Sequence, residues 1–149
     1  MLKVLIVDDE AVVRRGIVLG MDWASMDCVV VGEAANGEEG LAAAERYNPS
    51  LIITDVRMPR MDGIEMMRRL RERDCTAHFI VLTAYDEFDY ARSALRYGAA
   101  DYLLKPFRDQ DLMAAIARVR EKEGAAQPAE DTPLLPKGDK SKYVLQTLN

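Results

Sequence analysis

Five residues with ion-binding, nucleophilic or hydrogen-bonding side chains each stand directly after a short apolar run. They are Asp8 and Asp9 after residues 3–7, Asp55 after 51–54, Thr83 after 79–82 and Lys105 after 101–104. A carboxylate can attack an electrophile or hold a hard cation, a lysine brings a compact positive charge, and a threonine offers a hydroxyl donor. If the first and third runs are neighbouring strands about 4.8 Å apart, the three carboxylates share one pocket. Like charges that close repel unless a cation sits among them. Oxygen-only ligation selects a hard ion, and a site with few protein carboxylates that must also admit a phosphoryl group favours Mg²⁺.

These residues need a scaffold that brings run ends together. Between Lys3 and Glu123 short β-rich runs alternate with stretches of helical period five times, which predicts an α/β domain with a parallel sheet. The runs at 3–7, 29–34, 51–54, 79–82 and 101–104 are mostly continuous Val, Ile and Leu, as strands covered on both faces require, and the more polar second and fifth suit the edges. Apolar residues three or four apart predict one buried stripe per helix: Val13 and Ile17; Leu41 and Ala44; Ile64, Met67 and Leu70; Phe88, Ala91 and Leu95; Leu112, Ile116 and Val119. Asn36 followed by Glu39 reads as a helix N-cap and not as a hairpin turn, and Gly98 reads as the residue ending the fourth helix. In such a sheet the carboxyl ends of the strands form the ligand crevice, which is where all five residues fall.

Composition narrows the function classes. The 25 acids and 20 bases leave a net charge of −5, which argues against a surface given over to nucleic acid. No apolar run approaches the roughly 20 residues of a membrane span, and two acids follow the first strand at once, unlike a signal peptide. A cytoplasmic protein is expected. Cys28 and Cys75 lack metal-ligand spacing and lie on different elements, so both are expected as free thiols. After Glu123 the chain turns polar and rich in helix breakers through Pro128, Pro133 and Pro136, which reads as a linker or tail, with helical character returning over 141–149.

Four blocks carry a resemblance: Asp8-Asp9-Glu10, then Thr54-Asp55-Val56-Arg57-Met58-Pro59-Arg60-Met61-Asp62-Gly63, then Leu82-Thr83-Ala84, then Tyr102-Leu103-Leu104-Lys105-Pro106-Phe107. Together they resemble the receiver domain of bacterial two-component response regulators, over Met1 to about Glu123. The resemblance implies a flavodoxin-like fold, a doubly wound five-stranded parallel sheet in the order 2-1-3-4-5 with five flanking helices. It implies that Asp55 is the phosphoacceptor, attacking the phosphorus of a phosphohistidine on a sensor histidine kinase. Asp9, Asp55 and the backbone carbonyl of Arg57 would hold Mg²⁺, with Mn²⁺ as a substitute, and Asp8 would act directly or through water. Lys105 would place its charge on the phosphoryl oxygens, Thr83 would follow the phosphoryl group with its hydroxyl, Tyr102 would be the switch aromatic, and the Lys105–Pro106 bond would be cis.

Residues Tyr85 to Pro106 resemble more narrowly the YesN-like branch, in which a receiver precedes an AraC-type pair of helix-turn-helix motifs. Residues 140–149 resemble the start of the helix leading into that output. The expected organisation is a receiver over 1–123 and a linker or tail over 124–149, cut before the DNA-binding domain. Such a chain is regulatory and not an enzyme beyond self-phosphorylation from small donors and autodephosphorylation. It would dimerise on phosphorylation through the fourth helix, fifth strand and fifth helix, and reach DNA only through the missing domain.

Each residue alone has a plainer use. Asp8 or Asp9 could cap the first helix, Asp55 could open the turn before Pro59, Lys105 could be a solvated side chain, Thr83 a strand-end hydroxyl and Tyr102 edge-strand packing. His78, at the opposite edge, reads as surface, and Met58, Met61, Met66 and Met67 read as core and loop filler. Two other functions remain open: an aspartate-nucleophile phosphatase of the haloacid dehalogenase type, whose Asp-x-Asp-x-Thr pattern is absent from Asp8-Asp9-Glu10-Ala11-Val12, and a pseudo-receiver that only binds partners, although Asp55 and Lys105 are both retained.

Overall fold

The computed structural model describes residues 1–126, so the expected tail over 127–149 lies outside the described residues. Five strands, β1 (Leu2–Val7), β2 (Cys28–Ala34), β3 (Leu51–Asp55), β4 (His78–Thr83) and β5 (Ala99–Leu104), form one parallel sheet in the order β2-β1-β3-β4-β5. The helices are α1 (Ala11–Gly20), α2 (Gly37–Tyr47), α3 (Gly63–Glu72), α4 (Phe88–Ala91) and α5 (Asp109–Ala126). The flavodoxin-like fold and strand order are as expected, with β2 and β5 at the edges.

Side chains of a strand alternate between faces, and here both faces are covered, which is why the strand sequences read as unbroken apolar runs. Leu5, Val7, Ile52, Phe79 and Val81 pack with Leu41, Ala44, Ile64, Met67 and Leu70 of α2 and α3. Val4, Ile6, Leu51, Ile53, Ile80 and Leu82 pack on the other face with Ile17, Leu112, Ile116 and Val119. Met66 and Met67 are fully buried and Met61 nearly so, as core filler. Cys28 and Cys75 are thiols outside any disulfide, as expected, and the Cys28 thiol donates to the Met26 carbonyl (3.4 Å).

Local signals held where capping chemistry was explicit. Asn36 Oδ1 accepts the Glu39 N–H (2.9 Å) while Glu39 reaches back to the Ala35 N–H (2.9 Å), so two orphan donors at the start of α2 are satisfied. Gly98 has φ of 78°, the left-handed conformation expected of a residue closing a helix.

The fourth helix departs from expectation. Only Phe88–Ala91 is α-helical, flanked by 3₁₀ turns at Tyr85–Glu87 and Arg92–Tyr97. At three residues per turn the inward positions become Ala91 and Ala94, both 1% exposed, while Leu95, expected in the buried stripe, is 55% exposed. The Ser93 hydroxyl donates to the Tyr90 carbonyl (2.6 Å), a side-chain competitor for a helix carbonyl at the point where the coil tightens. At the other end of the chain α5 continues through Ala126, three residues beyond the break in pattern at Glu123.

Candidate functional site

Register places the site residues level with one another. In the two interior pairings the register is unbroken, Val7 facing Thr54 and Asp55 facing Leu82, so Asp8 and Asp55 emerge side by side at the same edge. Thr83 faces Leu104, which brings Lys105 to the same rim, and the Lys105 N–H donates to the Thr83 carbonyl (2.7 Å).

Asp8, Asp9 and Asp55 each offer a carboxylate oxygen within 4.8 Å of the others. Asp8 is wholly buried and Asp55 is 6% exposed, whereas Asp9 faces solvent. Asp8 Oδ1 accepts the Glu10 N–H (2.9 Å) and Asp55 Oδ1 accepts the Val56 N–H (2.9 Å). Lys105 Nζ stands 3.2 Å from Asp55 Oδ2, 3.4 Å from Asp8 Oδ2 and 3.9 Å from Glu10 Oε1. Two of the plainer uses, capping of the first helix by Asp8 or Asp9 and a solvated Lys105, do not describe this fold. The N-cap position of α1 is Glu10, without a side-chain cap, and Lys105 is turned into the acids. The Lys105–Pro106 bond is cis, as the resemblance implied.

Burial above all, and then the charge of Asp8, push the Asp55 carboxyl up to about 6, with the Lys105 ammonium and the Val56 N–H pulling the other way. Burial pulls Lys105 down, but Asp55 and Asp8 outweigh it and leave the ammonium above its usual range. Three carboxylates and one ammonium leave an excess of negative charge that a divalent cation would offset. The donor set is oxygen throughout, so the residues present fit Mg²⁺.

The two expected switch residues each have a local partner. Thr83 is buried and its hydroxyl donates to the Ala84 carbonyl (3.1 Å). Tyr102 is half-buried on β5 with its ring 5.4 Å from that of Phe88. Sequence reasoning missed Arg14, whose guanidinium donates to the Asp8 carbonyl (2.6 Å) and to Glu33 (3.0 Å), fixing the backbone beneath the acids. It also missed the surroundings of Arg57: the guanidinium lies 4.6 Å from the Tyr90 ring centroid and 3.9 Å from Glu87, and Tyr90 donates to Asp62 (2.6 Å). A heptad-scale pattern cannot reveal these, because even Tyr90 and Asp62 are 28 residues apart and Arg57 is farther still from its partners.

The close approach of the β3–α3 turn depends on Gly63. A Cβ there would lie 2.1 Å from the Asp55 carbonyl oxygen, so a side chain would displace the strand end that carries the acid.

The family model of the response regulator receiver domain matches residues 4–117. The chain belongs to this family. The receiver is 35% identical over 119 residues to the uncharacterized transcriptional regulatory protein YesN of Bacillus subtilis, covering 80% of this chain and 32% of that protein. It is 34% identical over 119 residues to the transcriptional regulatory protein HptR of Staphylococcus aureus, covering 80% and 46%. The chain thus spans a third to a half of the length of these curated relatives. Among solved structures, the REC domain of AraT, a response regulator from Geobacillus stearothermophilus, superposes with a TM-score of 0.80 at 45% identity, covering 85% of this chain and 98% of that one. A two component transcriptional regulator AraC from Clostridium phytofermentans gives 0.78 at 29% identity, covering 87% and 100%. The family is regulatory, and among the described residues no helix is long and apolar enough to cross a membrane.

Proposed function

We propose that this receiver accepts a phosphoryl group on Asp55 from a phosphohistidine of a sensor histidine kinase in the cytoplasm. An Asp55 carboxylate oxygen attacks phosphorus, the N–P bond breaks, and the imidazole leaves as the neutral base once protonated, giving an acyl phosphate. The observation that carries this reading is the Lys105 ammonium 3.2 Å from Asp55 within a cluster of three carboxylates. Asp8, Asp9, Asp55 and the carbonyl of Arg57 would hold Mg²⁺, with Mn²⁺ as a substitute. When bound, the ion offsets charge gathering on the phosphoryl oxygens. Lys105 orients the same oxygens, and Asp8, fixed by Arg14 and the Glu10 N–H, keeps the acid pair in register.

Thr83 can reach new phosphoryl oxygens only by giving up its bond to Ala84 and turning inward, and Tyr102 beside Phe88 would follow, which links the site to the surface of α4, β5 and α5. That surface would pair two phosphorylated copies. Exposed Leu95 in the 3₁₀ turn after α4, Leu104 on β5 and Met113 on α5 lie along it, and Asp86, Asp89, Arg92 and Arg96 add exposed charges of both signs. Glu87 and Arg118 on this surface pair within the chain, with Arg57 and Asp101. The receiver would occupy residues 1–123, with 124–149 leading to an AraC-type output that alone contacts DNA.

Intact-mass spectrometry after treatment with phosphoramidate tests the assignment. The parent should gain one phosphoryl group only with Mg²⁺ present, and Asp55→Asn none. Equal labelling of the variant overturns it, turnover of phosphoesters favours the phosphatase, and no labelling of the parent favours a binding module.

A further inference from the structure

The turn between β3 and α3 carries Arg57 near its start and Asp62 at its end, and both side chains converge on one residue of α4. The Tyr90 hydroxyl donates to Asp62 Oδ2 (2.6 Å), while Asp62 Oδ1 accepts the Glu65 N–H (2.8 Å) and caps α3. The Arg57 guanidinium lies over the Tyr90 ring at 4.6 Å and its Nε is 3.9 Å from Glu87. Glu87 also accepts the N–H of Ala84 (3.4 Å), the residue after Thr83. One tyrosine therefore touches both ends of the turn that leaves Asp55, and the acid beside it on the same segment reaches the end of β4.

We infer that Tyr90 is a positioning residue that clamps the β3–α3 turn to the first turn of α4, and so sets the geometry of the Arg57 carbonyl next to Asp55. Its consequence for phosphoryl chemistry rests on the phosphoacceptor reading above. The physical case is that Tyr90 ties Arg57 and Asp62 to a single side chain, whereas their other partners, Glu87 and the Glu65 N–H, each hold only one of them. Arg57 is 59% exposed at its side chain, so without the ring only the 3.9 Å contact with Glu87 would hold its guanidinium against solvent. The remaining turn contacts, Gly63 N–H to the Val56 carbonyl, Met61 N–H to the Pro59 carbonyl and Gly37 N–H to the Met61 carbonyl, are all between backbone groups and none of them fixes the Arg57 side chain. The Tyr90 phenol, pushed up to about 12 by burial and then by Asp62, stays a donor throughout the ordinary pH range. The clamp also gives a direct path between pocket and α4 that does not pass through Thr83 or Tyr102.

Amide hydrogen exchange on the full chain tests the clamp without any phosphorylation. Tyr90→Ala should speed exchange over residues 56–62 and 84–91 by about fivefold, the scale of a lost cation–π contact and hydrogen bond, with the amides of β1 and β3 unchanged. Tyr90→Phe keeps the ring under Arg57 and should give a smaller increase, centred on Asp62. A parallel Mg²⁺ titration followed by the Arg57 amide NMR shift should show weaker binding in Tyr90→Ala, with Tyr90→Phe close to the parent. Unchanged exchange in residues 56–62 of both variants overturns the clamp. Altered exchange with no Mg²⁺-dependent shift even in the parent supports the clamp and counts against the reading of the acid site.

Discussion

Replacing Asp55 by Asn should stabilise the metal-free protein, although it destroys the proposed acceptor. Two carboxylate oxygens 4.8 Å apart repel by about 3 kcal/mol at an effective dielectric of about 20, and Asp55 faces both Asp8 and Asp9. Burial first and the Asp8 charge second raise the Asp55 carboxyl, Lys105 at 3.2 Å offsets part of this, and the net result is a shift from 3.8 to about 6. Two units correspond to about 3 kcal/mol, which water at the exposed Asp9 side reduces to roughly 1–2 kcal/mol. The folded carboxyl keeps its proton up to about pH 6 and the unfolded one releases it near pH 4. Within that window the folded state binds more protons, so parent stability falls as pH rises through it and stays lower above. Asn has no such fall. In thermal melts with chelator the variant should match the parent near pH 4 and exceed it at pH 7 by about 3–6 °C. Mg²⁺ at ten times its dissociation constant should then restore about 1.4 kcal/mol to the parent and less to the variant. A variant less stable than the parent at both pH values would refute the electrostatic account.

Arg71 stacks over Phe79 (4.4 Å) and donates to the carbonyls of Tyr97, Cys75 and Ala77, so Arg71→Met should cost about 3 kcal/mol in urea unfolding. A loss below about 1 kcal/mol would show those carbonyls are satisfied by water. Gly63→Ala should cost at least about 2 kcal/mol and slow labelling at Asp55, because its methyl meets the Asp55 carbonyl; normal labelling in a destabilised variant would separate the turn from the chemistry. In sedimentation velocity the parent should be monomeric and dimerise weakly with beryllofluoride, more at low salt, and a monomer under all conditions would remove pairing from this chain.

The strands were legible because burial on both faces leaves a continuous apolar run that polar residues end abruptly, and the observed strands extend the expected ones by at most two residues. The clustering of Asp8, Asp9, Asp55 and Lys105 was legible for the same reason, since each stands where a run stops. Their strand order came from the family resemblance, because a run of Val and Ile does not say which neighbour it pairs with. The tight fourth helix was not legible: Phe88, Ala91 and Leu95 fit a 3.6-residue period, while Ala91, Ala94 and Tyr97 fit three, and the Ser93 bond to Tyr90 that accompanies the second exists only in the folded chain. Complete burial of Asp8 beside exposed Asp9 and the contacts of Arg14 and Tyr90 were hidden too. They depend on where α1 and α4 dock, which side-chain spacing alone does not specify.

The most direct test of the central claim is chemical mapping of the phosphorylated residue. After phosphorylation from a small donor with Mg²⁺, borohydride reduces an aspartyl phosphate to homoserine, and tandem mass spectrometry of the peptide spanning residues 51–60 locates it. The account predicts homoserine at position 55 alone. Conversion at Asp8 or Asp9, or a borohydride-resistant phosphoryl group elsewhere in the chain, would contradict it.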